Sequence, residues 1–384
     1  MNFVSPPAQV SDYAPRVHHL RKPARDSRMD FWRGVCLIDM LLVHLIYQSR
    51  VQFGNPLGQF FGEYGRFAAG GFVFLAGMGV GRFFLPKANN PDTRRDAYMR
   101  LWRRALILLC AHYIGTFFHI LFDQWLGYAA VTGSPWGVVR DVILLRQGDD
   151  LLPFYVLLTS ITPLLLMLLR RRDGFIWVAC ISMLTFYLGS THPNLTPLFP
   201  NFPPLLWQMI FIFGLLSGAG FKAYDKLSRR FKIGLAITGW VVFGLLFYSN
   251  YGPSFGWPRL YLGVIFFKRP LSLGETLRYL SITLGLLTTM DLLWPRLSKI
   301  PGNSLIATLG RRSLMVYVSH LFVVSAIAWI CDYELSAIGM WQMLLIIPAA
   351  AFLWLVAAGS EKLSALFVAP AGRRTAALPE PSGS

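Results

Sequence analysis

The sequence predicts an all-α polytopic membrane protein of about ten transmembrane helices with both termini in the cytoplasm, and three observations carry that prediction. The first is composition. The 384 residues are 54% hydrophobic, 15% aromatic and only 14% charged, which is more apolar surface than a soluble fold hides. The second is spacing. Apolar runs near twenty residues long recur, centred near residues 40, 75, 113, 160, 183, 212, 240, 284, 322 and 350, and a run of that length crosses about 30 Å of hydrocarbon at roughly 1.5 Å per residue. The third is the placement of cations: with the N-terminus inside, cytoplasmic segments carry 27 Lys and Arg and outer segments six, the asymmetry expected of an N-in, C-in chain.

That placement also excludes one class of partner. The formal charge is +17, but the cations fall between apolar runs instead of forming one face of a folded domain, so no nucleic-acid partner is expected. Membrane lipid is the expected surround. Residues 1–30, with Arg16, Arg21, Lys22, Arg25 and Arg28, read as a basic cytoplasmic tail without a cleavable signal. Residues 31–360 form the transmembrane domain, and residues 361–384, rich in Ala, Pro, Gly and Ser at the end, form a second cytoplasmic tail expected to be disordered. Cys36, Cys110, Cys180 and Cys331 all fall in expected spans without paired or metal-ligand spacing, so neither a disulfide framework nor a metal site is expected.

The first span, Asp30 to Arg50, holds Arg33 and His44. Eleven residues bring a helix back to within about 20° of the same azimuth and advance it roughly 16 Å, so the two share a face. Ionisable groups in a span face a polar interior or a water-filled path, and this face is expected to line a cavity. Arg33 also lies near enough to the span's start to snorkel toward headgroups. Asp39, about 140° around from His44, faces another neighbour and reads as structural. The second span is dense in small residues (Gly65, Gly70, Gly71, Gly77, Gly79, Gly81), which allow close helix approach or leave a slot for a thin substrate arm.

Arg94, Arg95, Arg100, Arg103 and Arg104 lead into the third span. Beyond anchoring topology, Arg100, Arg103 and Arg104 sit at helical spacing where guanidinium forks hold phosphates bidentately. The third span itself carries His112, His119 and Asp123 at intervals of seven and four, a second polar face; the pair of histidines lacks the further ligands of a zinc site, so the stripe reads as cavity lining with Asp123 orienting a histidine. Three outer loops are expected: 127–150 with an amphipathic piece from Trp136 to Val142, a proline-rich cap from Thr191 to Pro204, and Asn250 to Pro270 with Tyr251, Phe255, Trp257 and Tyr261. Such rings suit either an interfacial belt or a carbohydrate face. The ninth span adds Tyr317 and His320, and the eighth ends at Asp291.

Arg33 and His44 reproduce the R-x10-H pattern of the membrane acyltransferase superfamily (acyltransferase family 3), and Asp30-Phe31-Trp32-Arg33-Gly34 followed by that histidine resembles its OpgC-type glucan succinyltransferases. Gly71-Phe72-Val73-Phe74-Leu75-Ala76-Gly77 is similar to the superfamily's FVFLSG segment. Leu152-Pro153-Phe154-Tyr155, Trp207-Gln208-Met209-Ile210-Phe211 and Leu309-Gly310-Arg311-Arg312-Ser313-Leu314 continue the likeness in order along most of the chain. Two departures stand out: Phe67-Ala68-Ala69-Gly70 replaces an Asp-Ala-Ala-Glu, and Ala76 replaces a serine.

The resemblance implies an O-acyltransferase of a bacterial inner membrane that takes a succinyl or acetyl group from cytoplasmic acyl-CoA, as donor substrate and not bound cofactor, to a hydroxyl of a periplasmic glucan or an exopolysaccharide such as cellulose. It also implies an arginine pair in the place of the Arg100, Arg103 and Arg104 cluster as receiver of the coenzyme A phosphates, and His44 with Arg33 as the catalytic pair. A neutral imidazole accepts a hydroxyl proton near pH 7; His320 is the rival base, and direct transfer and an acyl-histidine intermediate both remain open. A partnership within a polysaccharide-synthesis complex is also compatible. The alternative from another class is a glycan or lipid transporter or flippase, which also uses intramembrane charges and glycine-broken helices but usually shows internal repeats, of which none is apparent here.

Overall fold

The computed structural model describes residues 26–48, 67–125, 151–192, 202–251, 271–330 and 344–368, with Pro258, Leu260, Leu262 and Phe266 between, apart from the side chains of residues 47, 48, 123, 124 and 365–368. Most of the basic N-terminal tail, the body of each expected outer loop, Cys331 and the C-terminal tail from residue 369 lie outside the described residues, as does the side chain of Asp123.

Among the described residues the chain is all helix. The helices are α1 (Ser27–Gln48), α2 (Phe67–Phe83), α3 (Leu85–Asn89), α4 (Pro91–Trp125), α5 (Leu151–Leu169), α6 (Gly174–Thr191), α7 (Pro204–Ala219), α8 (Phe221–Asp225), α9 (Arg229–Tyr251), α10 (Leu273–Leu297), α11 (Asn303–Arg311), α12 (Ser313–Trp329) and α13 (Ile346–Val368). Each expected span centre falls inside one of them. Among the described residues six helical segments are long and apolar enough to cross a membrane, and a seventh if α11 and α12, bent by 94° at their junction, count as one. The others fall short for physical reasons: α7 has 16 residues, while α1 and α10 carry charged residues along their length. A multi-pass membrane protein follows from these helices.

Close helix approach organises the bundle. On α2 and α7 the glycines interlock: a Cβ at Gly77 would lie 2.0 Å from the Phe211 carbonyl oxygen and one at Gly81 2.0 Å from that of Leu215, while Cβ atoms at Gly214 and Gly218 would meet the Phe74 and Met78 carbonyls at 2.0 and 2.1 Å. Two small-x3-small faces thus press backbone to backbone, which in hydrocarbon replaces the hydrophobic drive of water with dispersion. A second such contact joins α1 to α11, where a Cβ at Gly34 would lie 2.0 Å from the Ile306 carbonyl oxygen and one at Gly310 would overlap the Asp30 carbonyl. The turn before α11 needs Gly302, whose φ of 97° lies in the left-handed region.

Polar side chains hold the remaining joints. Gln208 of α7 donates to the Ser182 carbonyl and to Thr185 Oγ1 at 2.9 Å each, and Ser182 donates back to it at 2.9 Å, stitching α7 to α6. Asp39 is buried, at 7% exposure, beside Ala68 in the first turn of α2. Ser272 caps α10 by accepting the Glu275 N–H, and Glu275, 1% exposed, then pairs with buried Arg278 at 2.7 Å.

Candidate functional site

A cleft enclosing about 650 Å³ of non-atom space, its open mouth included, lies among α1, α2, α4, α5, α7 and α12. Its α2 wall is Phe72, Ala76 and Val80, one residue per helical turn. Ala76, where the resembling pattern has serine, therefore faces the cleft. From α4 come Leu101, Arg104 and Leu108, from α5 Leu152, Tyr155 and Thr159, and from α12 Ser313, Leu314 and Tyr317. Against this largely apolar lining stand two guanidinium groups, Arg33 and Arg104.

Arg33 reaches the cleft because α2 makes room for it. A Cβ at Gly79 would lie 2.8 Å from Arg33 Nη2, with only Met29 Cε otherwise near, at 3.9 Å. The guanidinium is loosely paired with Asp30 at 4.0 Å, itself buried at 3% exposure. Arg104 has no hydrogen-bond or ion-pair partner among the described residues and stands near Tyr155. The three candidate phosphate receivers do not converge: all three are exposed, but Arg104 lines the cleft, Arg100 is paired with Asp96 at 2.8 Å, and Arg103 lies away from the lining.

The histidines do converge. His44 of α1 and His320 of α12 stand with ring centroids 5.5 Å apart, so the two candidate bases are neighbours. His320, 2% exposed, directs Nδ1 at the Tyr317 carbonyl. A carbonyl only accepts, so this contact places the proton on Nδ1 and leaves Nε2 as the basic nitrogen. His119 of α4 reaches α12 as well, its Nε2 3.0 Å from Ser325 Oγ and its ring beside that of Phe322. His112, 1% exposed, has no hydrogen-bond partner on either ring nitrogen among the described residues and packs beside Tyr113, off the cleft. No group of three or more metal-ligating side chains gathers among the described residues.

At the expected cytoplasmic end, a clasp ties five elements. Asp291 of α10, with 5% of its side chain exposed, receives Arg28 of α1 at 2.8 Å, Lys232 of α9 at 3.0 Å and the Tyr224 hydroxyl of α8 at 3.1 Å. Arg82 at the end of α2 pairs with Asp26 and lies over the Phe221 ring, 3.8 Å from its centroid. Burial, and then the Asp291 carboxylate beside it, pushes the Tyr224 phenol above its ordinary value.

Sequence reasoning reached Arg33, His44, His320 and Arg104 but not Phe72, Thr159, Gly79 or Ser325. Phe72 had a signal, since it lies in the Gly71–Gly77 motif, and so did Gly79 in the glycine-rich span. Ser325 had none.

No curated protein matches the chain. Residues 25–365 match the family model described as OpgC protein, and with the match spanning nearly all of the helical bundle, the chain belongs to the OpgC family.

Proposed function

We propose that this protein is a membrane O-acyltransferase that takes an acyl group, succinyl or acetyl, from cytoplasmic acyl-CoA and delivers it to a hydroxyl of an extracytoplasmic polysaccharide, a periplasmic glucan or an exopolysaccharide, in a bacterial inner membrane. The single observation that supports it most is one cleft holding Arg33 and Arg104 together and ending at Tyr317, whose ring centroid is 4.8 Å from that of His320. In the ten-span, N-in orientation both arginines lie toward the cytoplasm and His44 roughly 16 Å deeper than Arg33. The arginines then meet the anionic donor and the imidazoles meet the acceptor.

The chemistry needs few parts. The acceptor hydroxyl gives its proton to His44 as its oxygen bonds the acyl carbon, the C–S bond breaks, and the leaving thiolate takes the proton. His320 supports the base: its Nε2 can accept a hydrogen bond from the imidazolium formed on His44, spreading charge that would otherwise stand in a low-dielectric interior.

The test uses purified full-length protein in lipid nanodiscs with acetyl-CoA or succinyl-CoA and a periplasmic glucan, following free thiol and acylated glucan together. Acceptor-dependent thiol release with a matching mass increase on the glycan is expected. Glycan movement across a vesicle membrane with no donor consumed would instead establish a transporter. Mass spectrometry of periplasmic and surface glycans from cells with and without the gene identifies acyl group and acceptor at once.

A further inference from the structure

A wall of three rings lines the arginine-bearing cleft, and its Tyr317 end abuts the histidine pair. Phe72 of α2 lies 6.3 Å from the Tyr155 ring of α5 and 6.3 Å from the Tyr317 ring of α12, centroid to centroid. Tyr317 then packs on His320 at 4.8 Å, and His320 on His44 at 5.5 Å. All three wall residues line the cleft, whereas neither His44 nor His320 does. Tyr155 and Tyr317 are buried at 7% and 4% exposure, and each has a further ring neighbour, Phe154 for Tyr155 and His320 for Tyr317. Phe72 is half-buried, packed against apolar side chains of the bundle, and is the most exposed of the three rings, so it is the member of the wall that the cleft meets most openly.

Such a wall answers a chemical problem. To an imidazole base, water and a sugar hydroxyl are the same O–H acid, and a thioester in open contact with the pair would be hydrolysed whenever no acceptor is bound. In that side reaction water gives a proton to the imidazole, its oxygen bonds the acyl carbon, the C–S bond breaks and the thiolate takes the proton, leaving carboxylic acid and free thiol. Resting on the acyl-transfer reading above, we infer that Phe72 determines the choice of acceptor over water: its ring closes the cleft from the histidine pair until an acceptor is in place. It contributes selectivity and no bond-making group.

The experiment compares wild type with Phe72→Ala and Phe72→Leu as full-length proteins in nanodiscs, with acetyl-CoA and succinyl-CoA as probes. Thiol release is read without and with glucan, and melting temperature in parallel. Acceptor-free release should rise at least tenfold in Phe72→Ala, rise less in the bulkier Phe72→Leu, and return to background when His44→Ala is added. If Phe72→Ala does not fold, the Leu variant carries the test on its own. A folded variant whose acceptor-free release matches wild type, or a leak that persists without His44, overturns the inference while leaving glucan-dependent transfer as evidence for the enzyme. No thiol release by wild type even with glucan removes the acyl-transfer reading, and the wall's role with it.

Discussion

Gly79→Ala should weaken donor binding without harming the fold, because the methyl meets one thing only. Its carbon would lie 2.8 Å from Arg33 Nη2, where ordinary contact begins at 3.4 Å, so the guanidinium tip must retreat by at least about 0.6 Å. The obstruction is the far end of a flexible side chain, and Ala in a helix interior gains about 1 kcal/mol over Gly, so melting temperature should hold or rise. At the site the same 0.6 Å matters. A charge-assisted hydrogen bond of about 2.8 Å, stretched by that amount, approaches the limit of hydrogen bonding. Loss of one such bond costs roughly 1.5 to 3 kcal/mol, or about 10- to 150-fold in Kd. Isothermal titration with a non-transferable thioether analogue of acyl-CoA reads this directly. The neighbouring Gly77→Ala is the control, since its methyl would meet the Phe211 backbone oxygen at 2.0 Å and force α7 away; it should lower stability by about 1 to 3 kcal/mol. Wild-type donor affinity in a folded Gly79→Ala protein would refute the seating of Arg33 as a binding determinant.

Other expectations separate the remaining roles. Arg104→Gln should reduce donor affinity by at least about tenfold whereas Arg100→Gln, removing an exposed ion pair, leaves it unchanged; equal effects in titration would reject the distinction drawn from the cleft. His44→Ala should slow acyl transfer by about 10² to 10⁴-fold, and His320→Gln by a smaller factor with donor KM preserved; a near wild-type rate for folded His44→Ala would sink its assignment as base. Asp291→Asn leaves Lys232 facing a neutral amide while Arg28 keeps Asp26 and Asp225, and should cost about 1.5 to 3 kcal/mol, the worth of a lost charged hydrogen bond, seen as a lower melting temperature. A single cysteine in the Arg170–Arg172 loop of a cysteine-free variant should react with membrane-impermeant reagent only after the cells are broken, and labelling of intact cells would reject the N-in map.

What the sequence made legible was whatever depends on period and length. Every expected span centre lies in a helix, and because α1 runs unbroken from Ser27 to Gln48, the Arg33–His44 spacing carries straight into space. What it hid depends on which helix meets which. The glycines of the second span and Gly214 and Gly218 are each visible, yet nothing local says that one set receives the other. His320 reads as a rival to His44 along the chain and proves to be its neighbour across the bundle. Similarly, Arg100, Arg103 and Arg104 share a composition signal, but only the rotation of α4 against α5 and α12 decides that Arg104 alone turns into the cleft.

The α1–α11 contact has a consequence for how the protein is made. Asp30, Arg33 and Asp39 leave α1 poorly suited to lipid, and the surface that covers its Gly34 edge is α11, with Gly310. At about 5 to 20 residues per second, translation takes roughly 15 to 55 s to travel from position 34 to position 310. For that interval α1 lacks the helix that covers its Gly34 edge, so the nascent bundle must shelter it against α2, or hold it at the insertion machinery, until α11 arrives. Truncations ending before residue 303 are therefore expected to strand α1 and be cleared by membrane proteases.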